Sequence, residues 1–168
     1  MTENKLLELL SKHDLKIATA ESCTGGLVAG VLCDISGISV HFEEGYITYS
    51  EAAKTKNLGV LPETIEHYGV VSCEVAEEMA MGAAERANAD CAIATTGVAG
   101  PTGGTEENPV GTVCFACVVR NQVLTERMIF EGNRMEIRMQ AAVYAIEMLC
   151  DYIESCYEDS DEEVSSEE

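Results

Sequence analysis

The stretch Leu15-Lys16-Ile17-Ala18-Thr19-Ala20-Glu21-Ser22-Cys23-Thr24-Gly25-Gly26-Leu27-Val28-Ala29-Gly30-Val31-Leu32 reads as strand, turn and helix in immediate succession. Residues 15–20 suit a strand, Glu21 to Gly26 are the small and polar residues of a turn, and Leu27 to Leu32 continue as a helix. A strand feeding directly into a helix is the building unit of an α/β protein. The same alternation extends outward. Upstream, Leu6, Leu7, Leu9 and Leu10 mark one face of a helix over 3–13. Downstream, residues 44–49 form a second strand and 50–57 a short helix, and Pro62 opens another helical turn. Ser72 is placed to cap a long helix through Ala87, with Glu74 at its positive end. Residues 90–95 form a buried strand, and a loop runs from Gly97 to about Val110. Strands over 111–119 and 123–130 flank the polar turn Arg120-Asn121-Gln122, and a last helix covers 134–153. The alternation gives an α/β fold, and the closing hairpin makes its sheet mixed.

The chain has 168 residues, the size of one domain. We expect that domain over 1–154, followed by an acidic, disordered tail over 155–168 that contains no Lys or Arg. The formal net charge is -20, which argues against a nucleic-acid partner, because phosphate backbones are gripped by Lys and Arg clusters. It argues equally against an anionic membrane surface. No apolar run is long enough for a membrane helix, and the N-terminus lacks a signal-peptide pattern, so a soluble, cytoplasmic protein is expected. The eight cysteines are scattered, several within apolar segments, and read as free thiols packed as small hydrophobes. Cys114 and Cys117 form a CxxC inside a strand, where a three-residue offset points the two thiols to opposite faces. No metal site is expected, since a second ligand pair is missing and His13, His41 and His67 are isolated.

Four stretches could carry chemistry. The first is the turn Glu21 to Gly26. Side chains there stand at a helix N-terminus, so Ser22 could be a nucleophile whose oxyanion is held by backbone N–H groups. Cys23 is a rival nucleophile, and Ser22 or Thr24 could instead simply cap the helix. The second is Tyr46-Ile47-Thr48-Tyr49-Ser50-Glu51-Ala52-Ala53-Lys54. Lys54 lies beside an alanine pair, and a desolvated lysine loses its proton readily enough to serve as a base. The alternative is a solvated surface lysine. Ser50, four residues before Lys54, could contact it locally. The third is the glycine-rich loop from Thr95 to Thr105, following a buried strand where open α/β sheets bind ligands. Its backbone N–H groups could hold a phosphate or a carboxamide, or the loop could be a flexible connection. The fourth is Gly132-Asn133-Arg134-Met135-Glu136-Ile137-Arg138. Arg134 and Arg138 share a face at a helix start, where they fit either an anion or salt bridges to the acidic body.

Thr-Ala-Glu-Ser-Cys-Thr-Gly-Gly at 19–26, Tyr-Ile-Thr-Tyr-Ser-x-x-x-Lys at 46–54, Gly-Val-Val-Ser at 69–72, Thr-Gly-Val-Ala-Gly-Pro-x-Gly-Gly at 96–104, Pro-Val-Gly-Thr-Val at 109–113 and Gly-Asn-Arg-x-x-x-Arg at 132–138 together resemble the CinA C-terminal family. The motifs run in order from about residue 5 to 150. The resemblance implies a three-layer α/β/α sandwich on a mixed, mostly parallel sheet. It also implies an amidohydrolase that converts nicotinamide mononucleotide to nicotinic acid mononucleotide and ammonia, with neither metal nor cofactor. Carried over by motif, Ser22 is the nucleophile, Lys54 the base and Tyr49 an assisting hydroxyl. The turn residues Cys23, Thr24, Gly25 and Gly26 would hold the oxyanion. Thr96, Gly97, Ala99, Gly100, Gly103, Gly104, Thr105 and Arg134 fall where the family's substrate-binding pattern lies. Asn133 stands where Asp is common in the family. Alternatives are a non-catalytic nucleotide-binding or interaction module of the same fold, or an amidohydrolase acting on another small amide. The expected partners are a small nucleotide substrate and a second copy of the chain in a homo-oligomer, taken as a dimer.

Overall fold

The computed structural model describes residues 2–165. Helix α1 (Thr2–His13) leads into strand β1 (Ile17–Glu21), helix α2 (Leu27–Cys33) and strand β2 (Phe42–Ile47). Helices α3 (Glu51–Leu58), α4 (Pro62–Tyr68) and α5 (Cys73–Ala87) follow. Strands β3 (Cys91–Gly97), β4 (Thr112–Val119) and β5 (Gln122–Ile129) and helix α6 (Arg134–Ser165) complete the order. The five strands form one sheet in the order β2-β1-β3-β4-β5. β1 pairs in parallel with both β2 and β3, while β4 runs antiparallel to β3 and β5. The sheet is therefore mixed, with every strand but β4 pointing the same way.

Alternation along the strands builds the three layers. In β3, Cys91 and Ile93 face one side, and Ala92 and Ala94 the other. In β4, Val113, Phe115, Cys117 and Val119 share the first side, and Cys114, Ala116 and Val118 the second. The CxxC thiols thus lie on opposite faces, as the strand period requires. The face with the larger side chains packs under α1, α2 and α6. The smaller face lies under α5, whose own buried residues are largely alanine, with Leu58 of α3 beside it.

Local signals set the element ends. Ser72 caps α5 by accepting from the Val75 N–H, and Ser50 caps α3 by accepting from the Ala53 N–H. Ser50 is thus a helix cap. Asn133 accepts from the Met135 and Glu136 N–H groups, and the Glu136 carboxylate accepts from the Asn133 N–H. This is a capping box with Asn in place of Ser or Thr, so the amide meets the same need an Asp would.

One element departs from the sequence expectation. α6 continues well beyond residue 153. The part of the expected disordered tail from 155 to Ser165 is helical, and residues 166–168 lie outside the described residues. Nothing after Gly132 breaks a helix, since neither glycine nor proline occurs there. Packing also carries the helix past the apolar periodicity. Ile153 is fully buried, and Cys156 and Tyr157 pack against the core. The Tyr157 ring stacks on His13, and its hydroxyl accepts from Arg120 Nε at 2.8 Å.

The small face allows a close crossing of α5 over the end of α3. A Cβ added at Gly82 would sit 1.9 Å from the Leu58 carbonyl oxygen. Gly82→Ala is therefore expected to destabilise the fold by about 2 kcal/mol, lowering Tm by roughly 4–8 °C for a domain of this size. Thermal denaturation followed by circular dichroism checks this, and an unchanged Tm would contradict the close packing.

Candidate active site

β1 sits where the chain reverses its direction of growth across the sheet. The next strand, β2, lies on one side of it and β3 on the other. Crevices outside the carboxyl ends of strands at such a point are where open α/β sheets bind ligands. Ser22 follows the last residue of β1, and Thr96 and Gly97 end β3. A cavity of about 1110 Å³ lined by Lys16, Asp90 and Arg120 lies at the opposite ends of these strands, away from Ser22.

Lys54 comes from the first turn of α3 and is fully buried. Its Nζ donates to Ser22 Oγ at 2.9 Å, to the Thr48 carbonyl at 2.8 Å and to the Tyr49 carbonyl at 3.4 Å. No carboxylate forms an ion pair with it among the described residues. Burial pushes the amine below the ordinary lysine value, since the charged form is the one that loses hydration. Nζ thus has three partners. Two are carbonyl oxygens that can only accept, and the third is a hydroxyl that can do either. A neutral amine matches this set, with two N–H donors and one lone pair.

Glu21 was read from sequence only as part of the turn, and the structure gives it a definite task. It is 1% exposed. One carboxylate oxygen accepts from Thr24 Oγ1 at 2.6 Å, Gly26 N at 2.9 Å and Val28 N at 3.0 Å, and the other accepts from Ala29 N at 2.8 Å. A carboxylate here satisfies the free N–H groups of α2 and complements its dipole. The signal available in sequence was an acidic residue just before a Gly-Gly helix entry. The Gly25 and Leu27 N–H groups go to the Ser22 and Thr24 carbonyls. Of the four turn amides expected to hold an oxyanion, Gly25 and Gly26 are therefore already engaged. Those of Cys23 and Thr24 are claimed by no carbonyl or carboxylate among the described residues.

The rival nucleophile is placed differently from Ser22. Cys23 is 7% exposed, and burial pushes its thiol up to about 11, which outweighs the helix N-terminus that would lower it. Thr24 is fully buried, and its hydroxyl joins Glu21 and Thr95 Oγ1.

The two arginines at the start of α6 bind oxygens of the site and take no part in salt bridges among the described residues. Arg134 donates to the Gly100 carbonyl at 2.7 Å and to the Tyr49 hydroxyl at 3.0 Å. Arg138 donates through Nε to the Cys23 carbonyl at 3.0 Å and through Nη2 to the Thr24 carbonyl at 2.9 Å. Tyr49 is exposed, and its hydroxyl meets Arg134; only its carbonyl approaches Lys54. Within the glycine-rich loop, Ala99 and Gly100 are buried, while Gly103, Gly104 and Thr105 are exposed. Thr96 donates to the Val70 carbonyl, and Thr105 closes a local turn with Asn108. The structure thus joins Ser22 to Lys54, and Arg134 to Tyr49 and Gly100. It leaves the outer part of the loop away from both groups' hydrogen bonds.

Known proteins resemble this chain over nearly its whole length. Nicotinamide-nucleotide amidohydrolase PncC of Escherichia coli K12 is 46% identical over 157 residues, covering 89% of this chain and 95% of that protein. The protein of the same name from Enterobacter agglomerans is 44% identical, covering 88% of this chain and 94% of that one. The crystal structure of a competence-damaged protein (CinA) superfamily protein from Klebsiella pneumoniae superposes with a TM-score of 0.88 at 36% identity, over 92% of this chain and 96% of that one. The sequence pattern of the CinA C-terminal domain matches residues 1–153, and the chain belongs to the CinA C-terminal domain family.

Proposed function

We infer that this protein is an amidohydrolase that deamidates nicotinamide mononucleotide to nicotinic acid mononucleotide and ammonia, with Ser22 as nucleophile and Lys54 as base. The observation that carries the mechanism is the 2.9 Å contact between Ser22 Oγ and the Nζ of a fully buried lysine. The likeness in sequence to two PncC amidohydrolases supports the substrate.

In the reactive state Lys54 is neutral. Its two N–H groups go to the Thr48 and Tyr49 carbonyls, and its lone pair accepts the Ser22 proton as Oγ attacks the carboxamide carbon. The Cys23 and Thr24 N–H groups stabilise the oxyanion. Lys54 passes its proton to the leaving nitrogen, ammonia departs, and water deprotonated by Lys54 cleaves the acyl-enzyme. Arg134 and Tyr49 hold the phosphate-bearing end of the substrate with the Gly97–Gly100 backbone. Tyr49 thereby serves substrate placement, since its hydroxyl bonds Arg134.

Ammonia release from nicotinamide mononucleotide by the purified protein tests this. Ser22→Ala is expected to lower kcat at least about 1000-fold, while Cys23→Ala stays within a few-fold of wild type. Wild-type turnover by Ser22→Ala would eliminate Ser22 as the nucleophile. Turnover of a different small amide, with nicotinamide mononucleotide inert, would reassign the substrate.

The reaction needs neutral Lys54, so kcat/KM is expected to rise with pH and level off, with its midpoint below the ordinary lysine value. Stability moves in the same direction. The folded pKa lies below the unfolded one, so between the two the unfolded chain binds more protons and stability climbs with pH. Chemical denaturation across this range should show wild type gaining on Lys54→Met as pH rises. A pH-independent difference would mean that Lys54 is not held neutral.

The substrate is anionic and the chain carries a net charge of -20. Added salt screens that repulsion, so kcat/KM for nicotinamide mononucleotide should increase from low to moderate ionic strength. A fall would show that the local field of the site outweighs the net charge.

A further inference from the structure

Arg138 spends its guanidinium on two carbonyl oxygens of the nucleophile turn, in a chain with 30 acidic residues and only 10 Lys and Arg. The approach is tight. Nη2 lies 3.1 Å from where a Cβ would stand on Gly25, whose φ of +60° also favours glycine. The Cys23 carbonyl and the Thr24 N–H belong to one planar peptide unit, so fixing the oxygen fixes the direction of the N–H. A charged donor on the oxygen also polarises that N–H. On the inner side, Glu21 holds Gly26, Val28 and Ala29. The turn is therefore clamped by a carboxylate from within and a guanidinium from α6.

We propose that Arg138 is a positioning residue for acyl transfer: it orients and polarises the Thr24 amide, and with it the turn carrying Ser22, so that the oxyanion meets a preset donor. The proposal rests on Ser22 being the nucleophile. It gives Arg138 a task separate from that of Arg134, one turn earlier on the same helix.

The test uses the full chain with Arg138→Ala, Arg138→Lys and, as a control, Ser22→Ala. Two readouts are needed. The first is kcat and KM for ammonia release from nicotinamide mononucleotide. The second is the rate at which a small fluorophosphonate labels Ser22, followed by mass spectrometry. In labelling, the Ser22 Oγ–P bond forms, P–F breaks with departure of fluoride, and the serine proton passes to Lys54. It uses the same nucleophile and oxyanion donors but no nucleotide. For Arg138→Ala we expect kcat to fall about 100-fold, KM to change less than about 3-fold, labelling to slow in parallel, and the pH midpoint to stay in place. Arg138→Lys should recover part of the loss, as should millimolar guanidinium added to Arg138→Ala.

A raised KM with unchanged kcat and labelling would make Arg138 a substrate-binding residue and overturn the proposal. So would a loss that disappears once rates are normalised to the folded fraction, which would make it a fold residue. If wild type labels at Ser22 but leaves nicotinamide mononucleotide untouched, the substrate reading fails, and labelling of Arg138→Ala still decides the proposal. If Ser22 in wild type takes no label and Ser22→Ala keeps full turnover, the nucleophile reading fails and the proposal falls with it.

Discussion

A lysine with no carboxylate ion pair among the described residues, buried at the end of a β-strand, is the constraint on which the rest of the site depends. Burying a charged ammonium costs several kcal/mol unless it is paired. Here the described residues offer Nζ two backbone carbonyls and one hydroxyl. Loss of the proton removes most of that cost while both carbonyls stay satisfied. The environment that would destabilise a charged Lys54 is thus the one that suits it to the proposed role of base. The adjacent Cys23 shows the same physics with the opposite result: burial favours its neutral thiol, which is the form that does not attack. In the proposed mechanism, one desolvated turn therefore activates the serine through its partner and quiets the cysteine beside it.

The electrostatics of the turn are divided between two charges. A helix N-terminus attracts anions, and the proposed substrate carries a phosphate. Glu21 fills that position first, satisfying the Gly26, Val28 and Ala29 amides. On the proposed substrate, the phosphate would then be met elsewhere, and Arg134 with Tyr49 and Gly100 is the cationic group that leaves the turn free. The helix start anchors the turn that carries Ser22, and in the proposed mechanism anion recognition falls to α6 and the loop after β3. Holding the nucleophile would thus be separate from holding the substrate, with one arginine of α6 on each side.

Sequence period made most of the fold legible. The alternation of strand and helix segments pointed to an α/β fold, the CxxC offset sent its thiols in opposite directions, and Ser72 and Pro62 marked helix starts. Ser22 and Lys54 were legible as types in suitable surroundings, but their 32-residue separation hid the contact until β1 and α3 were placed. Glu21 was missed because a carboxylate bonding one hydroxyl three residues ahead and three amides five to eight residues ahead has no local pattern distinct from a polar turn residue. The length of α6 was missed in part because the turn just past residue 153 is held by Tyr157 against His13 and Arg120, contacts that cross more than 30 residues. The family resemblance makes Tyr49 an assisting hydroxyl, but that hydroxyl bonds Arg134. Only the Tyr49 carbonyl approaches Lys54, because a strand end carries backbone and side chain in different directions.

The depth of Lys54 can be traced back to the small side of the sheet. Ala18, Ala20, Ala92, Ala94 and Ala116 leave room for α5 to lie close. Gly82 on α5 then lets the Leu58 carbonyl approach to a distance no side chain would permit. Leu58 ends α3, where Gly59, in the left-handed conformation, returns its N–H to the helix. Val60 N–H bonds the Lys54 carbonyl itself. These contacts seat α3 against α5 at one end and leave its first turn at the carboxyl edge of β1, where Nζ meets Ser22. Larger residues on that face would push α5 outward and carry α3 with it. Lys54 would then gain solvent and keep its proton. The alanines of the sheet and the burial of the Lys54 amine are therefore linked through a close helix crossing.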